Sequence, residues 1–353
     1  MPHYNLAFIG FGNVGQALAR LLIRKRSELR ANHNINYSIT GIATRSHGIA
    51  IDPDGIDLEK ALSLMETTRN KTGNGKASPP LSRLSAMPVT EKANMLDFIR
   101  NCAGDVLFEN SPVNYQTGQP AMDHLVSALE NGMHAITANK GPVVHGYRRL
   151  TDLARSKGLK FFFESTVMDG APIFSLFRET LPSARLLSFN GVLNSTTNLI
   201  LTRMEAGETF DEAVQYAQSI GIAETDPSGD IDGWDAAVKV AALVTVLMGV
   251  PVTPDQVSRI GIRDLTQEDI RTALGEGKRW KLVCTAKCAG KQVEAVVAPK
   301  LVSSDSPLYS VSGTSSLVTF ETDVLGPLSI YESDPGPETT AYGLFADFVN
   351  AVK

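Results

Sequence analysis

Cysteine is scarce in this chain, and its three cysteines, Cys102, Cys284 and Cys288, are an odd number at spacings that frame no disulfide-stapled fold. Cys284 and Cys288 stand four apart in a strand-like run, so both face one side and read as buried thiols rather than metal ligands. No apolar run approaches the ~18 residues that a membrane span requires. The apolar stretch at 6–9 is too short for the core of a secretory leader and runs straight into glycines, so no leader is expected and the chain is placed in the cytoplasm. An excess of one charge is also lacking: a formal net charge of -5 over 353 residues gives no general basis for binding nucleic acid. Internal repeats are absent. The one biased stretch, 66–80 (ETTRNKTGNGKASPP), is polar and Gly/Pro-rich and reads as an exposed loop. What remains is an ordinary globular composition, 43% hydrophobic and 20% charged, with length for two or three substructures.

The most informative segment is Ala7-Phe8-Ile9-Gly10-Phe11-Gly12-Asn13-Val14-Gly15. A buried strand at 6–9 is followed by glycines at the GxGxxG spacing and then by a helical segment at 16–26. Gly10 permits a tight turn, Gly12 lets a pyrophosphate approach the backbone, and Gly15 lets the helix pack closely on the strand. The start of that helix offers free N–H groups and the positive end of its dipole to phosphates. A second strand, 36–44, ends in Thr44-Arg45-Ser46-His47, with no acid to accept from a ribose 2′-OH. Arg45 suits a 2′-phosphate instead, so NADP(H) is expected in preference to NAD(H).

Residues 1 to about 140 alternate strand-like and helix-like segments, the pattern of a doubly wound, Rossmann-type sheet. The strand at 105–109, the helical spacing from Ala121 to Leu129 and the strand at 134–137 belong to it. Strand-like runs follow at 160–164, 185–193, 280–287, 293–297, 317–321 and 328–331, and a last helix at about 340–352.

A second anchor is Gly221 to Lys239 (GIAETDPSGDIDGWDAAVK), where Pro227 and Gly229 force a loop carrying Glu224, Asp226, Asp230 and Asp232. A helix begins near Asp232 or Gly233 and places Asp235 and Lys239 four apart on one face. Spacing alone allows two readings. The pair is either a surface bridge of small worth or, because the helix continues as an apolar run and is largely buried, an acid/base and substrate-binding couple lining a cleft.

The glycine turn, Thr137-Ala138-Asn139-Lys140, Glu164-Ser165-Thr166-Val167, Asn194-Ser195-Thr196-Thr197-Asn198 and the acid-rich loop leading to Lys239 occur together and in this order. The set resembles homoserine dehydrogenase through nearly the whole chain. The resemblance implies reversible, NAD(P)-dependent hydride transfer between L-homoserine and L-aspartate 4-semialdehyde, with Lys239 as general acid/base and Lys140 between nicotinamide and substrate. It implies substrate contacts at Glu224, Asp230, Asp235 and Thr197, and cofactor contacts at Gly10, Gly12, Asn13, Val14, Gly15, Arg45, Asn110, Ser111 and Lys140. It further implies a monovalent cation, Na+, on Glu164 and the backbone of Val167, Asp169 and Ala171.

The expected architecture is an NADP-binding domain at 1–140, joined by the helix at 340–353, and an α/β catalytic domain at 166–309. A dimerisation region at 141–165 and 310–339 would support a homodimer. Where many relatives carry a glycine-rich stretch, this chain reads ESDPGPETTA at 332–341, with helix capping expected from Glu338, Thr339 or Thr340. No C-terminal regulatory domain is expected after the last helix. Two rivals need different residues. An aspartate-semialdehyde dehydrogenase requires an activated cysteine, and a non-catalytic NADP sensor requires neither lysine.

Overall fold

A computed structural model describes residues 1–69, 81–86, 94–290 and 292–353, and the chain forms two compact units. The first holds residues 1–142, 146–170 and 336–353; the second holds 143–145 and 171–335. The segments assigned to a dimerisation region fall on both sides of this partition. Most of the loop expected at 66–80 lies outside the described residues, while its first four residues, 66–69, end the Leu58–Arg69 helix.

Six strands build the first unit: β1 (His3–Ile9), β2 (Asn36–Thr44), β3 (Gly48–Ile51), β4 (Val106–Glu109), β5 (His134–Thr137) and β6 (Phe161–Phe162). Their spatial order is β3-β2-β1-β4-β5-β6, parallel throughout except for β3. Leu6 to Ile9 and all of β4 are buried, as strands covered on both faces must be. Chain order reverses between β1 and β4, so the carboxyl ends of these strands open the ligand crevice of such a sheet. β3 was not anticipated. Arg45, Ser46 and His47 form a turn in which Thr44 Oγ1 accepts from the His47 amide at 2.8 Å. The chain then returns antiparallel to β2 through Gly48 at φ +79°.

The Asn13–His33 helix and the last helix, Pro337–Ala351, pack together in this unit. Leu344 and Phe348 of the last helix are fully buried, and Phe348 meets Phe108 edge-on with centroids 6.2 Å apart. Burying a side chain of this size contributes about 1.5–3 kcal/mol, so the last helix is integral to the core. Its cap is Gly336, with Pro337 at the first helical position and Thr339 Oγ1 accepting from the Gly336 amide at 2.9 Å.

The second unit is a sheet of β7 (Leu186–Val192), β8 (Ser258–Arg259), β9 (Lys278–Ala289), β10 (Gln292–Ser303), β11 (Ser316–Thr322) and β12 (Gly326–Glu332), ordered β12-β11-β7-β9-β10-β8. All neighbours are antiparallel except β8 and β10. The runs read at 280–287 and 293–297 are the middles of a longer hairpin, paired from Lys278–Ser303 to Gln292–Ala289. Cys284 is buried, but Cys288, near the strand end, is exposed, which corrects the reading of both as buried thiols. Against β9 pack the helices Ser195–Glu205, Trp234–Leu243 and Gln267–Gly275. Among the described residues no helix is long and apolar enough to cross a membrane.

Candidate active site

The glycine turn of the first unit is tightly enclosed at two positions and open at one. A Cβ on Gly10, at φ +87°, would fall 2.3 Å from the Asn110 carbonyl oxygen, and one on Gly15 would fall 2.7 Å from the Gly10 oxygen. A Cβ on Gly12 would meet nothing within 4 Å. Gly12 caps the Asn13–His33 helix with no side-chain cap and no acidic residue in the first turn, and Asn13 is exposed. The amide nitrogen and oxygen of Asn110, at the end of β4, are buried without a hydrogen-bond partner among the described residues. An open glycine, uncapped helix N–H groups and an orphaned carboxamide at the switch point fit a phosphate-bearing dinucleotide. Arg45 is exposed in the turn after β2.

β5 delivers Lys140. Asn139 Oδ1 accepts from the Gly141 amide at 3.1 Å, capping the Lys140–Ser156 helix. Lys140 is thus the first residue of a helix, where the dipole disfavours a cation.

The metal-binding expectation falls on a buried turn. Glu164 is 4% exposed, and its amide donates to Asp347 Oδ2 at 2.8 Å. Asp169, at φ +41°, accepts from Thr340 Oγ1 at 2.5 Å. Gly170 is needed here, since a Cβ would lie 2.2 Å from the Thr339 oxygen. Val167 lies in the first unit with these residues, and Ala171 opens the second. Among the described residues no group of three or more His, Cys, Asp or Glu could hold a metal.

In the second unit four side chains converge. The Trp234–Leu243 helix carries Asp235 and Lys239, and Lys239 Nζ lies 3.4 Å from Asp235 Oδ2. The two side chains are only 12% and 10% exposed, which removes the surface-bridge reading. Lys239 also donates to the Leu193 carbonyl oxygen at 2.6 Å. An ammonium has three donors, so one remains without a partner among the described residues. Asn194, at the end of β7, joins the carboxylates: its Nδ2 donates to Asp230 Oδ1 at 2.6 Å and to Asp235 Oδ2 at 3.0 Å. Burial, and then the charge of Asp235, push the Asp230 carboxyl above its ordinary value.

Asp230 lies not in an open loop but on a single helical turn, Ser228–Ile231. Thr197 is buried, and its hydroxyl and amide both donate to Asn194 Oδ1 at 2.8 Å. That fixes the Asn194 amide so that Nδ2 faces the two acids. Glu224 is exposed and outside the cluster; its backbone oxygen accepts from Gln218. Asn194 has no role in the sequence expectation, although an Asn before a helix with Thr three residues on is a capping signal. Lys281 was missed altogether: it is fully buried, 3.2 Å from Asn198 Oδ1, and burial lowers its ammonium to about 8.

Burial pushes the Cys102 and Cys284 thiols up to about 11 and about 12, the reverse of an activated nucleophile. The aspartate-semialdehyde dehydrogenase reading therefore loses two of its three candidate cysteines.

Comparison with known proteins matches each part of the chain to one family. Residues 10–164 match the family model "Homoserine dehydrogenase, NAD binding domain", and residues 172–349 match "Homoserine dehydrogenase". The chain is 36% identical over 347 residues to a homoserine dehydrogenase of Methanocaldococcus jannaschii, covering 98% of each. It is 33% identical to an NAD(+)-dependent homoserine dehydrogenase of Pseudomonas canavaninivorans, covering 99% of this chain and 96% of that one. A solved hyperthermophilic archaeal homoserine dehydrogenase in complex with NADPH matches at TM-score 0.81 and 30% identity, covering 99% of this chain and 98% of the other. With its glycine turn, its orphaned switch-point amide and its buried lysine among carboxylates, the chain belongs to the homoserine dehydrogenase family.

Proposed function

We propose that this homoserine dehydrogenase works with Lys239 as general acid/base, Asp230 and Asp235 as the substrate's anionic partners, and NADP(H) as the preferred cofactor. The observation that carries this reading is the charge balance around Asn194. Two carboxylates face one ammonium within a largely buried cluster. Two buried carboxylates held side by side by one amide offer anionic acceptors suited to the α-ammonium of homoserine, and a non-catalytic NADP sensor has no use for them. Glu224, exposed and outside this cluster, is assigned as a further, outer partner for that ammonium.

A bound dinucleotide would supply the hydride acceptor or donor opposite the substrate's carbinol or aldehyde carbon. The protein's part is proton transfer. In reduction the Lys239 ammonium directs its remaining N–H to the aldehyde oxygen and gives up a proton as the alkoxide develops. In oxidation the neutral amine takes the hydroxyl proton, so alkaline pH favours the oxidative direction. The Leu193 carbonyl and Asp235 fix the direction of Nζ while this happens.

Gly10, Gly12, Asn13, Val14 and Gly15 are assigned to the pyrophosphate, Asn110, Ser111 and Lys140 to the nicotinamide side, and Arg45 to the 2′-phosphate. Glu164 with the carbonyls of Val167 and Asp169 offers hard oxygen donors suited to Na+. A cytoplasmic homodimer completes the proposal. The outer edge of β12 supports such pairing, because no strand covers it among the described residues. The test is homoserine-dependent reduction of NADP+ and of NAD+ near pH 9. A higher kcat/KM with NADP+ supports the reading, and an equal or higher value with NAD+ overturns the role given to Arg45.

A further inference from the structure

At the carboxyl end of β4 lies a buried acid that the reading above does not use. Glu109 is 0% exposed and sits directly between Ile9 of β1 and Thr137 of β5 in the register of the sheet. Four donors converge on its two oxygens. Oε1 accepts from the Ser111 hydroxyl, from the Ser111 amide at 3.3 Å and from His124 Nδ1 at 3.2 Å; Oε2 accepts from Thr137 Oγ1 at 3.3 Å. A carboxylate only accepts, so Nδ1 of His124 carries the hydrogen. His124, on the Ala121–Glu130 helix, is itself buried.

The partners of Glu109 are the residues that hold the cofactor-side loops. The single Thr137 hydroxyl hydrogen is shared between Oε2 and, more closely, the Glu109 carbonyl oxygen at 2.7 Å, and Thr137 Oγ1 accepts from the Asn139 amide at 2.9 Å. Asn139 Nδ2 returns to the Ser111 carbonyl oxygen at 3.1 Å, while its Oδ1 caps the helix that begins with Lys140. The loop after β4, carrying Asn110 and Ser111, and the loop after β5, carrying Asn139 and Lys140, are therefore tied to one carboxylate from below. A structural acid at this depth has an apolar alternative that leaves fewer groups to satisfy. Its retention with Ser111 and Thr137, which hold these two loops, among its donors points to placement.

We propose that Glu109, oriented by His124, is a positioning residue that sets Asn110, Ser111 and Lys140 for the nicotinamide end of the cofactor; this rests on the dinucleotide reading of the first unit. Glu109→Gln keeps the shape but turns one acceptor oxygen into a donor, setting an N–H against Ser111 and His124 or weakening the hold on Thr137. The experiment is calorimetric titration of wild type and Glu109→Gln with NADPH, alongside thermal unfolding and steady-state kinetics with homoserine. The expected result is a folded variant whose Kd for NADPH rises about ten-fold or more, with kcat lowered and KM for homoserine unchanged.

Wild-type affinity and kcat in folded Glu109→Gln would overturn the proposal. Parallel losses in NADPH affinity and homoserine KM would do so as well, because they indicate general loosening. If Glu109→Gln does not fold, His124→Phe, which keeps the ring and removes the donor, carries the test. A weaker Kd for NADPH with unchanged homoserine KM supports the proposal, and an unchanged Kd overturns it. Wild type that binds neither NADPH nor NADH would overturn the cofactor reading itself, an outcome distinct from all of these.

Discussion

Replacing Asn194 separates two jobs that one side chain performs. Its Oδ1 caps the Ser195–Glu205 helix by accepting from the Thr197 amide at 2.8 Å, and its Nδ2 donates to Asp230 and Asp235 at 2.6 and 3.0 Å. Asn194→Ser keeps an oxygen for the cap and removes the Nδ2 donor, because the shorter side chain's one hydroxyl cannot bridge both acids; Asn194→Ala removes cap and donor together. A hydrogen bond to a charged group is worth about 1.5–3 kcal/mol, and the two bonds here share one nitrogen, so Asn194→Ser should cost about 2 kcal/mol. Loss of the cap adds about 1 kcal/mol in Asn194→Ala. Without the donor the two acids repel each other unscreened and draw Lys239 away from substrate. Homoserine kcat/KM should then fall at least about ten-fold in both variants, the equivalent of 1.4 kcal/mol. Urea unfolding at pH 8, with initial rates on the same preparations, reads both quantities. An Asn194→Ser protein with the urea midpoint and kcat/KM of wild type would refute the argument that the amide holds the acids in place.

Two further outcomes follow from the same geometry. The Asp230 carboxyl is raised in the folded state by burial and by Asp235, so the buried anion destabilises the fold above that raised value, and the penalty disappears on acidification toward the ordinary carboxyl range. Asp230→Asn should therefore be more stable than wild type at pH 7–8, lose that advantage near pH 4, and bind homoserine at least about ten-fold more weakly in KM; thermal unfolding at the two pH values and a homoserine titration check this. Gly10→Ala and Gly12→Ala should part company. At Gly10 the added Cβ meets the Asn110 oxygen at 2.3 Å on a left-handed backbone, which should cost about 3 kcal/mol or more. At Gly12 it meets nothing, so the fold should stand within about 0.5 kcal/mol while NADPH affinity drops. Thermal unfolding and NADPH titration of the two variants distinguish these effects.

How much of this was legible in the sequence depends on the range of the interactions. The glycine turn and the Asp235/Lys239 pair are local: φ requirements and a 3.6-residue period place them without knowledge of the fold. The surface and buried readings of that pair could not be separated by period alone, because the answer depends on Leu193 and Asn194, more than 40 residues away. Glu109 was read only as the end of a strand; its meaning depends on Thr137 across β5 and on His124 across a helix. Lys281 breaks the pattern of a half-buried strand, and only the helix carrying Asn198 and Glu205 explains why a lysine lies there. Strand parity did place Cys284 and Cys288 on one side, yet parity does not reveal that β9 runs past its core before Cys288. β3 was missed because GIAI is four residues long and follows a turn fixed by a single threonine hydroxyl.

The central claim is that Lys239 moves the proton. Lys239→Ala should bind NADPH as wild type does and lose homoserine oxidation by about 10²–10⁴-fold, the range of a general acid/base. Small primary amines added to this variant should restore part of kcat, more strongly above pH 9, where more of the amine is neutral. Turnover within a few-fold of wild type, or a loss that no amine recovers while folding and NADPH affinity are intact, would contradict the account and move the proton-transfer role to Lys140.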